Sequence, residues 1–258
     1  MLLPRVLTAC VGIPLLLGLI HRGGLSFAVF VAGIAALSLY EYGVILEIGR
    51  RPVQRALVIV LGTALALCQA VGGPAAPAFA LAVAVVMLRE MAASPHSLDR
   101  LALTMLGIVL LGWMPAHLAL IRDFRPYGER LTFMFFVSVW VMDTAAYAAG
   151  KTFGRHKLAP ELSPKKTWEG FFAGLAAASA TIFAFRASAP EMLVPARAAA
   201  LCVVIGVGGQ LSDLAESMIK RAVGVKDSGA LLPGHGGVMD RFDSFLLSAP
   251  IVYYCLIF

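Results

Sequence analysis

The sequence predicts an all-α, polytopic integral membrane protein with about nine transmembrane helices. Three observations carry this prediction. Apolar residues make up 60% of the 258 and charged residues 14%, with a mean hydropathy of +0.85. So few charges cannot cover the surface of a soluble domain of this length. Several apolar stretches reach about 17–22 residues, the length that crosses about 30 Å of hydrocarbon as a helix. The basic residues lie in short segments between those stretches. The net charge of +6 is therefore a topology signal and not a nucleic-acid-binding patch.

The candidate spans run over 4–20, 25–46, 56–71, 75–92, 101–121, 131–150, 168–186, 198–219 and 242–258. Helices are expected because irregular backbone facing lipid would leave its polar groups unpaired. Pro4, Pro14, Gly12 and Gly18 bend the first span, and Gly72-Gly73-Pro74 with Ala76-Pro77 marks a tight turn. Leu7-Thr8-Ala9-Cys10 superficially resembles a lipoprotein cleavage box, but six residues are too few for the apolar region before it. The N-terminus reads as uncleaved and as part of the first span. Cys10, Cys68, Cys202 and Cys255 show no CxxC spacing and read as small buried residues. No repeat or low-complexity segment is visible. The expected organisation is one integrated membrane domain, with N-terminal transmembrane helices over 1–130 and a transmembrane catalytic region over 131–258.

Topology follows from Lys and Arg placement. With the N-terminus inside, fifteen of the 21 basic residues fall on cytoplasmic segments and six outside. The opposite orientation reverses this bias. The polar segments 151–169 and 220–243 are then both cytoplasmic, and the functional site is expected at the cytoplasmic ends of the later helices. The expected location is the cell membrane, multi-pass, or the inner membrane where the source has two.

Span eight carries Asp213, Glu216, Ser217 and Lys220 at i, i+3, i+4 and i+7, on one helical face. A carboxylate within a membrane costs about 2.5–3.5 kcal/mol on insertion scales, so partners are expected. A Glu216–Lys220 helix pair is one structural account, and it leaves Asp213 unexplained. Arg221, Lys226 and Asp227 follow, then Gly234-His235-Gly236-Gly237 and Asp240, Arg241 and Asp243. Glycines around a histidine allow the backbone to turn N–H groups toward a phosphate oxygen. Carboxylates spaced as Asp240 and Asp243 suit Mg²⁺, which takes one or two carboxylates with phosphate oxygens and water. The loop before span seven interleaves Lys165 and Lys166 with Ser163, Thr167 and Glu169, and Asp143 lies toward the inner end of span six. Cations held there could neutralise a triphosphate. Carboxylates for a metal and cations for polyphosphate together suggest phosphoryl or nucleotidyl transfer, with a soluble nucleotide meeting a lipid at the headgroup plane. His21, His96 and His117 read as isolated, and Trp113, Trp140 and Trp168 as packing or interface anchors.

The run from Ser217 to Asp243 fits S-x-x-K-R-x4-K-D-x-G-x2-L-P-G-H-G-G-x-x-D-R-x-D at every stated position. It resembles the phosphatidate cytidylyltransferase family, as do Asp143-Thr144-Ala145-Ala146-Tyr147 and Ser163-Pro164-Lys165-Lys166-Thr167-Trp168-Glu169-Gly170. The resemblance covers residues 140–245; the first 130 residues show compatible hydropathy alone. It implies that CTP and phosphatidate give CDP-diacylglycerol and pyrophosphate with Mg²⁺, a second metal or a monovalent cation being left open. Asp213 and Asp240 are the first choices for metal ligands. Asp143, Glu216, Asp227 and Asp243 follow, as ligands or as orienters of cations. Lys165, Lys166, Lys220, Arg221 and Lys226 would hold the triphosphate, with Ser163, Thr167, Glu169, Ser217, Gly236 and Gly237 lining the substrate site. Arg241 would meet an aspartate or phosphate, and His235 would meet phosphate or fix its loop. Membrane lipids are expected partners, nucleic acid is not, and a homodimer is compatible. Two other readings compete with it. A CDP-alcohol phosphotransferase would show D-x2-D-G-x2-A-R, which is missing. A transporter of phosphorylated anions would spread its charges through the bilayer and show repeat symmetry.

Overall fold

The computed structural model describes residues 3–231 and 236–258, with side chains from Cys10 onward. The predicted spans are helical: α1 (Leu3–Arg22), α2 (Gly24–Ile48), α3 (Arg55–Ala70), α4 (Ala75–Met91), α5 (Leu98–Gly107), α6 (His117–Arg122), α7 (Gly128–Phe153), α8 (Trp168–Ser188), α9 (Pro195–Ala222), α10 (Met239–Leu246) and α11 (Ser248–Ile257). Among the described residues, five segments are long and apolar enough to cross a membrane: α2, the run Leu98–Arg122, α7, α8 and α9. The chain is a mostly helical protein of membrane type.

Three departures from the expected pattern have local causes. The all-α expectation misses a two-stranded antiparallel hairpin, β1 (Lys157–Ala159) with β2 (Ser163–Thr167), inside the basic loop. Pro160 at its turn and the polar composition hid it from a periodicity reading. The fifth span is interrupted by a π-helical segment, Ile108–Trp113, between α5 and α6. There Gly112 packs so close to α3 that a Cβ would lie 2.7 Å from the Gly62 carbonyl oxygen. The ninth span is two helices and not one. Pro250 lacks the N–H that would bond the carbonyl of residue 246, and its ring crowds that carbonyl, so α10 stops at Leu246. Buried Ser212 of α9 covers the break: its hydroxyl donates to the Asp243 carbonyl and accepts from the Leu247 N–H at 2.9 Å.

The chain divides into two compact units. The first comprises Met1–Asp123 and Ile219–Phe242. Its core holds Phe27, Leu39, Tyr42, Leu65 and Leu111, and buried polar groups tie the helices together. The Tyr42 hydroxyl donates to the Leu103 carbonyl at 2.8 Å, and the Gln54 N–H donates to Thr104 Oγ1 at 3.0 Å. The second comprises Phe124–Met218 and Asp243–Phe258. An aromatic cluster joins α7 to α10, with Phe245 5.1 Å from Phe135 and 4.5 Å from Phe136 between ring centroids. Helices α7 and α8 approach through small residues. A Cβ at Gly170 would stand 2.6 Å from the Ala146 carbonyl oxygen, so backbone meets backbone, as small residues permit in membrane helices.

Candidate active site

In the second unit, α7, β2, α8 and α9 enclose a cavity of ≈ 530 Å³ whose walls carry Asp143, Lys151, Lys157, Lys165, Lys166 and Asp213. Thr167 fixes where β2 becomes α8: its side chain caps the helix by accepting from the Gly170 N–H at 3.2 Å. That cap aims the lysine run of β2 at α9. Lys166 Nζ lies 2.7 Å from Asp213 Oδ2, and it reaches the Gln210 carbonyl at 3.3 Å and its Oε1 at 3.4 Å. The pair is part-exposed to the cavity, 19% for Lys166 and 29% for Asp213. Ser217 Oγ approaches the other oxygen of Asp213 at 3.4 Å. Asp143 lies in the electrostatic field of Asp243, Asp213 and Lys166 and shares a hydrogen bond with Ser244. Helices α9 and α10 and strand β2 thus bring Asp213, Asp243 and Lys166 within electrostatic reach of Asp143 on α7. Asp143 lies inside α7, which continues to Phe153, three residues past the expected boundary at 150. Glu216 is fully buried. Among the described residues, no three Asp, Glu, His or Cys side chains form a ready metal-holding group.

Glu169, expected on substrate, instead holds the loop before it. Its Oε1 pairs with His156 Nδ1 at 2.7 Å, and both oxygens face the His156 N–H at 3.3 Å. Lys165 is exposed on the hairpin, and Ser163 opens β2 opposite Ala159.

The first unit holds the other half of the motif, in a different role from the one its spacing suggested. Lys220 Nζ donates to Asp240 Oδ1 at 2.6 Å, and both side chains are about nine-tenths covered. Asp240 Oδ2 accepts from the Ser228 N–H at 3.0 Å, the Ser228 hydroxyl at 2.9 Å and the Gly237 N–H at 3.1 Å. Burial opposes the charge of Asp240. The Lys220 ammonium and the two N–H donors outweigh it and hold the carboxyl below the ordinary carboxylate range.

A second carboxylate in this network was invisible to sequence reasoning. Glu41 of α2 is 2% exposed, yet it accepts from the Val238 N–H and the Met239 N–H, each at 2.9 Å, and from the Ser228 hydroxyl at 3.0 Å. A Cβ at Gly237 would lie 2.6 Å from Glu41 Oε2. The glycine is needed because the loop closes directly onto a carboxylate, and its neighbour Gly236 takes φ 85°, a left-handed conformation. Four N–H groups, of Ser228, Gly237, Val238 and Met239, therefore bind the protein's own carboxylates and do not form an open phosphate cradle. Arg221 closes the end of α9 by donating to the Val225 carbonyl at 2.8 Å. Lys226, Asp227 and Arg241 are exposed, and His235 lies outside the described residues. Sequence signals for Glu41 were slight: it is one of two acids, with Glu47, in an otherwise apolar helix.

Lysines with carboxylates at a cavity, in a chain of apolar helices, are the equipment of a membrane enzyme of phosphoryl or nucleotidyl transfer. The chain belongs to the cytidylyltransferase family, whose model matches residues 3–258. It is similar to the phosphatidate cytidylyltransferase of Brucella suis biovar 1 (strain 1330), 35% identical over 256 residues, 96% of this chain and 91% of that one. The phosphatidate cytidylyltransferase of Staphylococcus epidermidis (strain RP62A) is 33% identical over 263 aligned positions, 98% of each chain. That of Bacillus subtilis (strain 168) is 42% identical over 162 residues, 61% of this chain and 59% of that relative's length.

Proposed function

We propose that this chain transfers the cytidylyl group of CTP to phosphatidate, giving CDP-diacylglycerol and pyrophosphate. The observation that carries the proposal is the Lys166–Asp213 pair at a cavity whose walls bear three further lysines, in a chain of the cytidylyltransferase family. The phosphate oxygen of phosphatidate is already ionised and forms the new bond to the α-phosphorus. The bond from that phosphorus to the β-phosphate oxygen breaks, and pyrophosphate leaves with the electron pair. No proton has to be removed from the nucleophile, so the difficulty is bringing two polyanions together. Lys151, Lys157, Lys165 and Lys166 spread positive charge along the cavity wall and hold the triphosphate. On substrate entry Lys166 exchanges some of its contact with Asp213 for phosphate.

Mg²⁺ fits the donor chemistry here. Asp213 is part-exposed at the cavity with Asp143 in the same wall, and this ion takes one or two carboxylates and completes its shell with phosphate and water. Asp213 would hold it, with Asp143 or Asp243 beside it, and when bound it would neutralise phosphate charge. Asp240 and Glu41 act as positioning residues for the loop from Ser228 to Met239, since their oxygens are spent on its N–H groups and hydroxyl. The excess of basic residues on one set of segments supports a cytoplasmic N-terminus and site, and the nine apolar segments support nine passes through a cell membrane.

The test supplies radiolabelled CTP, phosphatidate and Mg²⁺ to purified protein in liposomes and follows label into the lipid phase. Label should enter the lipid with wild type, stop on chelation, return with Mg²⁺, and fall at least about 100-fold with Asp213→Asn. Unlabelled lipid from folded wild-type protein would end this reading.

A further inference from the structure

The first unit contains a second cavity of ≈ 530 Å³, built from the start of α3, the end of α4 and the start of α5. Its walls carry Arg55, Arg89 and Arg100 together with Gln54. None of these residues belongs to the nucleotidyl-transfer chemistry described above. The arginines differ in what they already bind. Arg100 is forked onto Glu90, Nε to Oε2 at 2.8 Å and Nη2 to Oε1 at 2.6 Å, and Nη2 also meets the Pro95 carbonyl at 2.9 Å. Arg55 donates from Nη1 to Glu47 at 2.7 Å and stacks over Tyr40, 5.0 Å from the ring centroid. Arg89 is exposed and has no ion-pair partner among the described residues. A guanidinium has five N–H donors, so all three retain donors for an anion, and the cavity keeps one positive charge in excess of Glu47 and Glu90.

Gln54 helps to fix the arginine wall by holding Glu90, the partner of Arg100. It is 8% exposed, and its Nε2 is committed to Glu90 Oε2 at 2.9 Å and the Val86 carbonyl at 3.4 Å. The amide orientation is thereby fixed, and Oε1 is left buried with no hydrogen-bond partner. The complementary ligand carries a phosphate for the arginines. The helices around the cavity also carry large apolar side chains on their outer surfaces, Val60 at 62%, Leu88 at 63% and Met91 at 69% exposed, as acyl chains require.

We infer that this cavity binds the headgroup of an anionic phospholipid. The experiment titrates purified protein in neutral detergent with dihexanoyl-phosphatidylglycerol, using calorimetry. Parallel titrations use dihexanoyl-phosphatidylmethanol, dihexanoyl-phosphatidylcholine and inorganic phosphate. Phosphatidylglycerol should bind saturably, at least about tenfold more tightly than phosphatidylcholine or phosphate, and Arg89→Gln should weaken it about tenfold. Phosphatidylmethanol, with the same charge and no headgroup hydroxyls, should bind about as tightly as phosphatidylglycerol, and binding as weak as that of phosphatidylcholine would overturn the assignment to headgroup charge. Unchanged affinity in folded Arg89→Gln would overturn the inference. Equal affinity for inorganic phosphate would overturn its assignment to a lipid.

Discussion

Replacing Glu41 by Gln tests whether a residue of the second helix governs the motif loop almost two hundred residues later. The carboxylate accepts three hydrogen bonds, from the N–H groups of Val238 and Met239 and the hydroxyl of Ser228. An amide keeps one oxygen and turns a donor toward at least one of these N–H groups. Ser228 can rotate its hydroxyl, but a backbone N–H cannot turn away. The minimum loss is one hydrogen bond to a charged acceptor, about 1.5–3 kcal/mol, with a buried N–H left unmade. Where that cost falls on loop order, the competent population drops by about 10- to 100-fold at 1.36 kcal/mol per decade. The assay is turnover at saturating CTP and phosphatidate, alongside size-exclusion behaviour and the melting midpoint. The expected result is a monodisperse protein with kcat reduced by that factor and KM for CTP changed less. A folded Glu41→Gln protein with kcat within about twofold of wild type would refute the assignment of Glu41 as the organiser of this loop.

Other perturbations separate the remaining roles. Asp240 has its carboxyl held below the ordinary carboxylate range, so its contribution to stability is fully present above the unfolded value of about 3.9 and is lost as pH falls through the lowered folded value. The melting midpoints of wild type and Asp240→Asn should differ by a constant amount above about pH 5 and converge below about pH 4; a gap that persisted in acid would contradict this. Lys166→Gln removes the cation on Asp213 and should lower kcat/KM for CTP by about 100-fold while the protein stays folded. Gly170→Ala drives a methyl against the Ala146 carbonyl and should cost about 1–3 kcal/mol of unfolding free energy, read as a lowered midpoint. His156→Ala frees Glu169 at an exposed position; its thermal midpoint should barely move, while proteolysis of the hairpin loop speeds up.

The helices were legible because apolar length is a strong signal, and the second-unit cluster was legible because Asp143, Lys166 and Asp213 stand at recognisable spacings. Breaks within helices were harder. Pro250 marks the division of the last span, but its effect is an interruption four residues earlier, which an apolar run conceals. The hairpin after α7 was hidden for another reason: five basic residues between 151 and 166 read as a topology loop whatever their backbone does. Asp240 looked like a ligand because spacing counts carboxylates and cannot count the hydrogen bonds they already accept. Glu41 is the clearest case of what one sequence withholds. Nothing local distinguishes it from Glu47, and its partners lie 187 to 198 residues away; only the folded chain shows that one of these acids is buried and the other paired on the surface.

The Glu41 contacts bear on how such enzymes can be taken apart and recombined. A chimera that grafts the later motifs onto foreign N-terminal helices would lose the acceptor for two loop N–H groups unless the donor helix offers a carboxylate at the same depth. Glu41, Ser228, Gly237 and Asp240 are therefore best treated as one inherited cassette. Recombination should succeed at boundaries that move all four together and fail at those that cut between Glu41 and the loop.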